Sequence, residues 1–211
     1  GGSQAGTTVK GNASVNISDG VVNGSIYGTG GVVEGSISIS VTGGTIKGNI
    51  YAGGLNVGVA GTKTVNISGY SNPDKDNKNH FYGGSSVTQS GTADALLEIV
   101  DGDVIMNVAD TEAYADIFGG ASVTNSDYVS VEAGSSDVTV KNLLINGYDS
   151  GKTIWTGRVY GAGQISNSGN SSVDNYDVYY QASSNVHVTN IGGITVNKDD
   201  GSVTHNPGAR V

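Results

Sequence analysis

Acidic side chains are the sequence's densest source of potential chemistry. Asp101-Gly102-Asp103 sets two carboxylates around a glycine, and Asp110, Glu112 and Asp116 follow soon after. Asp74, Asp76 and Asn77 crowd a polar stretch, and Asp199 and Asp200 precede Gly201. Calcium takes six to eight hard oxygen ligands, which such runs could supply. Asp74, Asp76, Asp101 and Asp103 are therefore the candidate calcium ligands. None of these runs has the glycine and closing glutamate of an EF-hand loop, and no calcium-binding nonapeptide array is present. No other cofactor is expected.

Catalysis on polysaccharides would need two or three carboxylates converging on one face, often beside a basic group. Arg158, two residues before Tyr160, is the one arginine placed within the body of the sequence; the other, Arg210, lies near the end. So few cations suit an acidic polysaccharide poorly, and a lyase or hydrolase ranks last among the readings. His80, His187 and His205 lie far apart, and the cysteine count is zero, so neither a local metal-ligand spacing nor a nucleophile–base pair exists in the sequence. The alternation around His187 turns it outward. The expectation is a protein that is not an enzyme. Trp155, Tyr176, Tyr179 and Tyr180 cluster aromatic surface away from the repeat described below and form the candidate recognition patch, for sugar or protein.

The elements that must position these residues are strands. Glycine is abundant at 35 residues while proline numbers two. Most apolar residues are Val and Ile, whose branched side chains suit a pleated surface. Lys and Arg total 10 against 19 Asp and Glu, a net charge of −9, which leaves no basic patch for nucleic acid or an anionic membrane. No apolar run approaches the roughly 18 residues that span a bilayer, so membrane insertion is not expected.

A repeat organises the strands. Tyr27-Gly28, Tyr51-Ala52-Gly53-Gly54, Tyr82-Gly83-Gly84, Phe118-Gly119-Gly120 and Tyr160-Gly161-Ala162-Gly163 each place small residues after an aromatic, at intervals of 24, 31, 36 and 42 residues. Before the first two copies run Ser14-Val15-Asn16-Ile17-Ser18 and Ser38-Ile39-Ser40-Val41-Thr42, each alternating apolar and polar residues. Val15 and Ile17 share one face and Ser14, Asn16 and Ser18 the other. Three short strands in about 20 to 25 residues make one turn of a parallel β-helix, whereas a propeller blade needs about 40. The expected fold is all-β, a right-handed parallel β-helix (β-solenoid) with irregular loop insertions, filling residues 1–211 as one domain. Glycines are expected to turn its corners with positive φ, and those after the aromatics to allow close backbone packing. The aromatics Tyr27, Tyr51, Tyr82, Phe118 and Tyr160 are expected to stack as an inward or corner ladder. Residues 70–80 read as a polar loop, and Gly147 to Gly151 as a turn. Residues 1–13 and 197–211 read as poorly capped ends.

The turns quoted above resemble the β-helical passenger regions of bacterial autotransporter and haemagglutinin-like surface adhesins, over residues 14–196. That resemblance implies an extracellular, cell-surface location and a rod mediating adhesion or cell–cell aggregation, with a protein or glycan on host or neighbouring cells as partner. One fold hosts many activities, so it identifies architecture better than function. The exposed edges of a solenoid's end turns are templates for further strands. Head-to-tail self-association into an extracellular filament is therefore the alternative reading.

Overall fold

A computed structural model describes residues 4–70, 78–112, 115–124, 126–148, 158–166, 177–189, 192–196 and 203–207. The described residues form strands and no helix, and nearly every strand pairs in parallel with one from a neighbouring turn of the chain. Four sheets matter for function. Sheet I contains Ala13–Ile17, Ile37–Val41, Lys63–Ser68, Val104–Glu112, Ser136–Tyr148 and Ser184–Thr189. Sheet II contains Ile26–Thr29, Ile50–Gly54, Asn79–Tyr82, Ala115–Phe118 and Val159–Tyr160. Only the later turns contribute to sheet III (Ser86–Val87, Ser122–Thr124, Gln164–Ser166) and sheet IV (Leu97–Asp101, Val129–Ala133, Asp177–Gln181).

Register follows the hydrophobic alternation. In sheet I, Val15, Ile39, Val65, Met106, Val138 and Val186 stand opposite one another in six successive strands, two residues before the column of Ile17, Val41, Ile67, Val108, Val140 and Val188. A slip of one residue would turn every apolar side chain to solvent, so the pattern itself selects the pairing. These columns meet Ile26, Ile50, Phe81, Ile117 and Val159 from sheet II in one continuous core. Val87, Val123, Ile99, Val129 and Val131 form a second core between sheets III and IV.

Glycine plays two separate parts. The expected positive φ occurs where the chain leaves sheet I, as at Gly44 (φ 84°) and Gly69 (φ 62°). Asp110 (φ 47°) follows Ala109, which pairs with Ser68, so it repeats the left-handed corner of Gly69. After sheet II the reason is proximity: a Cβ on Gly28 would lie 2.1 Å from Ala52 O, and one on Gly84 would lie 2.5 Å from Ala121 N. These glycines follow the aromatics as expected for close backbone packing, and neither has a positive φ. At these sites the backbone of the next turn occupies the space of a side chain.

One loop expectation is corrected. Tyr70 is buried rather than part of a polar loop, with its ring edge-on to Phe81 at 5.5 Å. Its hydroxyl donates to Ile46 O at 2.9 Å, and Asn79 Nδ2 donates to Ile46 O at 3.1 Å and to Gly48 O. Those carbonyls belong to the edge of the short pair Val21–Val22 and Thr45–Ile46. Two side chains thus satisfy carbonyls at that edge. The strand Ser136–Tyr148 takes in Gly147 and Tyr148, and the rest of the expected turn, residues 149–151, lies outside the described residues. The strand's second half pairs with Gly192–Val196, which Val203–Pro207 covers in antiparallel fashion.

Candidate functional site

Three constellations bring together the side chains capable of chemistry or recognition. The first is the aromatic column. Tyr27, Tyr51, Tyr82, Phe118 and Tyr160 stack with ring centroids 5.0, 5.0, 4.8 and 4.8 Å apart and planes within 12° of parallel. The column does not enter the main core, because the inward positions of sheet II belong to the preceding apolar residues. It is a separate cluster on the other face of sheet II. Tyr82 Oη donates to Gln164 Oε1 in sheet III at 2.8 Å, which ties the ladder to that sheet. Burial pushes the Tyr82 phenol up to about 12 and raises that of Tyr27 as well. Tyr51, Tyr82 and Phe118 are buried, so a sugar ring could reach only the ends of the stack, such as Tyr160.

Beside the ladder runs a polar column, each member two residues before an aromatic: Ser25, Asn49, His80, Asp116 and Arg158. Side chains here receive backbone N–H groups from the next turn. Ser25 Oγ accepts from Asn49 N at 3.0 Å, Asn49 Oδ1 from His80 N at 2.9 Å, and Asp116 Oδ1 from Arg158 N at 2.8 Å. Asp116 also holds Lys78 Nζ at 2.6 Å. His80 Nδ1 is buried without a hydrogen-bond partner, 3.8 Å from Asp116 Oδ2. Burial and Lys78 depress the His80 pKa, and Asp116 only partly offsets them. This histidine stays mostly neutral at pH 7. The sequence offered a signal for this column, a polar residue two before each aromatic, that reasoning from motifs passed over.

The second constellation is a polar seam between the two cores. Lys63 stands in an inward column of sheet I between Ile37 and Val104 and is fully buried. Its ammonium donates to Gly102 O at 2.9 Å and Val59 O at 3.1 Å and lies 3.7 Å from Asp101 Oδ1. Burial lowers its pKa against the pull of Asp101 and Asp103. Asp101 accepts from Ser85 Oγ at 2.8 Å, Ser85 N at 2.8 Å and Val59 N at 3.2 Å. Both of its oxygens are thus engaged within the protein. Asp103 is exposed and caps Ser135 N at 2.8 Å. No group of three metal-binding side chains occurs among the described residues. Asp74 and Asp76 lie outside them.

The proposed aromatic patch separates in the same way. Trp155 and Tyr176 lie outside the described residues. Tyr179 continues the inward column of Ile99 and Val131, and its hydroxyl accepts from Ala121 N at 3.1 Å. Burial raises its phenol pKa. It is half-buried against the second core. Tyr180, 67% exposed on the opposite face of the same strand, is the one described member turned to solvent. His187 is exposed, as its alternation implied.

The third constellation was not singled out from the sequence. On the outer face of sheet I, Ser14, Ser38 and Thr64 align in one column and Asn16, Ser40 and Asn66 in the next, all half-buried or exposed. Ser18, Thr42 and Ser68 continue the pattern one step further. A groove of about 300 Å³ opens at the edge of this face, lined by Asn12, Ala13, Ser14, Ser36, Ile37, Ser38 and Thr64. Compared with models of known families, with curated proteins and with solved structures, the chain matches none.

Proposed function

We propose that the stacked turns form a stretch of right-handed parallel β-helix that serves as a non-enzymatic extracellular rod of the adhesin type. Its partner in this reading is a protein or glycan on a host or neighbouring cell. The observation that carries the proposal is where the charges go. Among the described residues, the ion pairs Lys63–Asp101 and Lys78–Asp116 are both largely shielded from solvent, and Lys78–Asp116 fastens one turn to the next. A hydrolase or lyase would instead aim such groups into an open cleft. Here both shielded pairs are spent on cohesion, which suits a protein that transmits position rather than one that turns over a substrate.

Negative-stain electron microscopy of the purified chain across a concentration series tests this reading. Discrete short rods at every concentration are the expected result. Uniform filaments that lengthen with concentration would replace the adhesin rod with a self-assembling subunit. Release of reducing ends or unsaturated sugars from a polysaccharide panel would restore the enzyme.

A further inference from the structure

We infer that the first turn, built from Thr8–Val9, Ala13–Ile17, Val21–Val22 and Ile26–Thr29, is an interface on which a second copy of the chain docks end to end about a twofold axis. Such a contact doubles the rod, and it holds whether or not the rod is an adhesin. Among the described residues these four strands pair on one side only. Ala13 N and Ile17 O bond to the next turn, and a residue's N–H and C=O point to the same side of a strand. Those of Ser14 and Asn16 therefore face the open side, a template for another strand. Tyr27 does the same in sheet II, because Ile26 N bonds to Asn49 O in the next turn. The apolar interior is open here too. Val9, Val15, Ile17 and Val22 are half-buried. Their counterparts one turn on, Val33, Ile39, Val41 and Ile46, are buried.

The outline of the turn selects the occupant. A head-to-tail contact would lay a later turn, with strands of sheets III and IV, on a turn that has neither, and leave those strands without partners. The first turn matches itself. Val9 and Val21 lie six residues to either side of Val15, so the two short strands flank the centre of Ala13–Ile17 evenly. Tyr27 comes twelve residues after Val15 and twelve before Ile39, which stands opposite Val15 in the next turn, so it lies half a turn away. A twofold axis through Val15 and Tyr27 thus lays the turn on its own outline. Pairing is then antiparallel, with Ser14 of each copy opposite Asn16 of the other and two N–H···O bonds in each pair. Val15 meets Val15 and Ala13 meets Ile17 on the inward face, so the two cores join. Tyr27 meets Tyr27 on the outer face and carries the ring ladder across. Charge fits as well. The chain carries −9, yet its first 33 residues hold only Lys10 and Asp19, and the axis brings Lys10 of each copy toward Asp19 of the other. Because both copies use the same surface, the contact closes on itself and gives a dimer, not a filament.

Analytical ultracentrifugation of the full chain across a concentration series tests the interface. A species of twice the chain mass of 21.2 kDa is expected, and none larger. Val15→Lys sets two like charges against each other at the axis and should leave the chain monomeric where the native chain is dimeric. Circular dichroism confirms that the variant folds. The sequence has no cysteine, so a single one reports its own neighbours. Residues opposed in a non-hydrogen-bonded pair have Cα atoms about 4.5 Å apart, within reach of a disulfide. Val15→Cys should therefore give a covalent dimer on mild oxidation. Val186→Cys, in the last strand of the same column, should stay uncrosslinked. A native chain that is monomeric throughout, a ladder of polymers, a Val15→Lys dimer as strong as the native one, or cross-linking no better at Val15→Cys than at Val186→Cys would overturn the interface. Monomers that are still discrete rods by microscopy would sink the dimer and leave the adhesin reading standing.

Discussion

The first two turns and the later ones solve the same stacking problem with different amounts of chain. Early on, contacts between turns join residues 24 apart, as from Ser36 N to Asn12 Oδ1. Later they join residues 41 or 42 apart, as between Asn107 and Asn66 or Arg158 and Asp116. The additional residues build sheets III and IV with their own apolar core. The columns of sheet I pass from narrow to broad turns without a break. A turn can therefore lengthen greatly provided the excursion stacks on its own kind, because each layer needs only its neighbours. Between the two apolar cores lies an ionic seam of Lys63, Asp101 and Ser85. A buried ion pair contributes little net stability against a well-packed apolar replacement, but it strongly penalises an arrangement that separates its partners. Its position at the junction makes it a device for fixing where the chain leaves the narrow path.

Breaking that junction should give the largest effect. Asp101→Ala leaves the Lys63 ammonium buried without its counter-charge and Ser85 and Val59 without an acceptor. The expected loss is about 3–5 kcal/mol. Urea unfolding followed by hydrogen exchange should show protection falling most in residues 84–103 and 120–135, with the first two turns less affected. Uniform loss of protection along the chain, or a loss below about 1 kcal/mol, would refute the junction's role. The double replacement Lys63→Met with Asp101→Leu should recover much of the stability, because no charge is then left stranded.

The ladder crosses from one region to the other and should report the comparison more evenly. Tyr82→Ala removes a buried ring stacked on both sides and its bond to Gln164. It should cost about 3–5 kcal/mol, the range for buried aromatic truncations. Tyr160, at the exposed end with Phe118 on one face, should cost much less as alanine. Equal losses at both positions in chemical denaturation would show that the rings act singly and not as a column.

Glycine substitutions sharpen the contrast between close approach and open turn. Gly84→Ala sets a Cβ 2.5 Å from Ala121 N, and backbone cannot easily give way, so about 1–3 kcal/mol should be lost. Gly24→Ala meets nothing within 4 Å and has no positive φ. Restricting the unfolded chain there should be neutral or stabilise by up to about 1 kcal/mol. Thermal denaturation of the two variants side by side gives the answer, and a destabilised Gly24→Ala would mean the open corner is crowded after all.

The narrow turns were far more legible in the sequence than the broad ones. Val15-Asn16-Ile17 and Ile39-Ser40-Val41 announce their inward columns by alternation alone, and the aromatic followed by glycine marks sheet II in every turn. Sheets III and IV carried a signal that went unread: Ser85-Ser86-Val87-Thr88 recurs as Ala121-Ser122-Val123-Thr124, and Leu97-Glu98-Ile99-Val100 alternates as Val129-Ser130-Val131-Glu132 does. Strands of two or three residues have no periodicity of their own, and only pairing with distant copies identifies them. Asp101 illustrates the limit. Local spacing placed it with Asp103 in an acidic cluster, whereas successive side chains in a strand alternate faces and the two-residue step crosses the end of sheet IV. The inward-facing lysine that claims Asp101 lies far back in the sequence.

The smallest predicted effect concerns pH and lies beside the junction of the two regions. Facing His80 are Asn49 from the preceding turn, Asp116 and Phe118 from the following one, and Lys78 and Tyr82 on its own segment. Burial first and Lys78 second hold its folded pKa below the ordinary histidine value of about 6.5. The unfolded chain therefore takes up the proton first as pH falls. The contribution of His80 to stability is whole above about pH 6.5 and is lost as pH drops toward the depressed folded value. One proton limits the slope to about 1.4 kcal/mol per pH unit. His80→Gln cannot titrate and should flatten the profile of urea midpoints between pH 7 and pH 5. An unchanged slope in His80→Gln would mean that burial and the Asp116 carboxylate cancel, and a steeper loss toward pH 5 would mean that Asp116 outweighs burial and that protonation tightens the bond between these two turns.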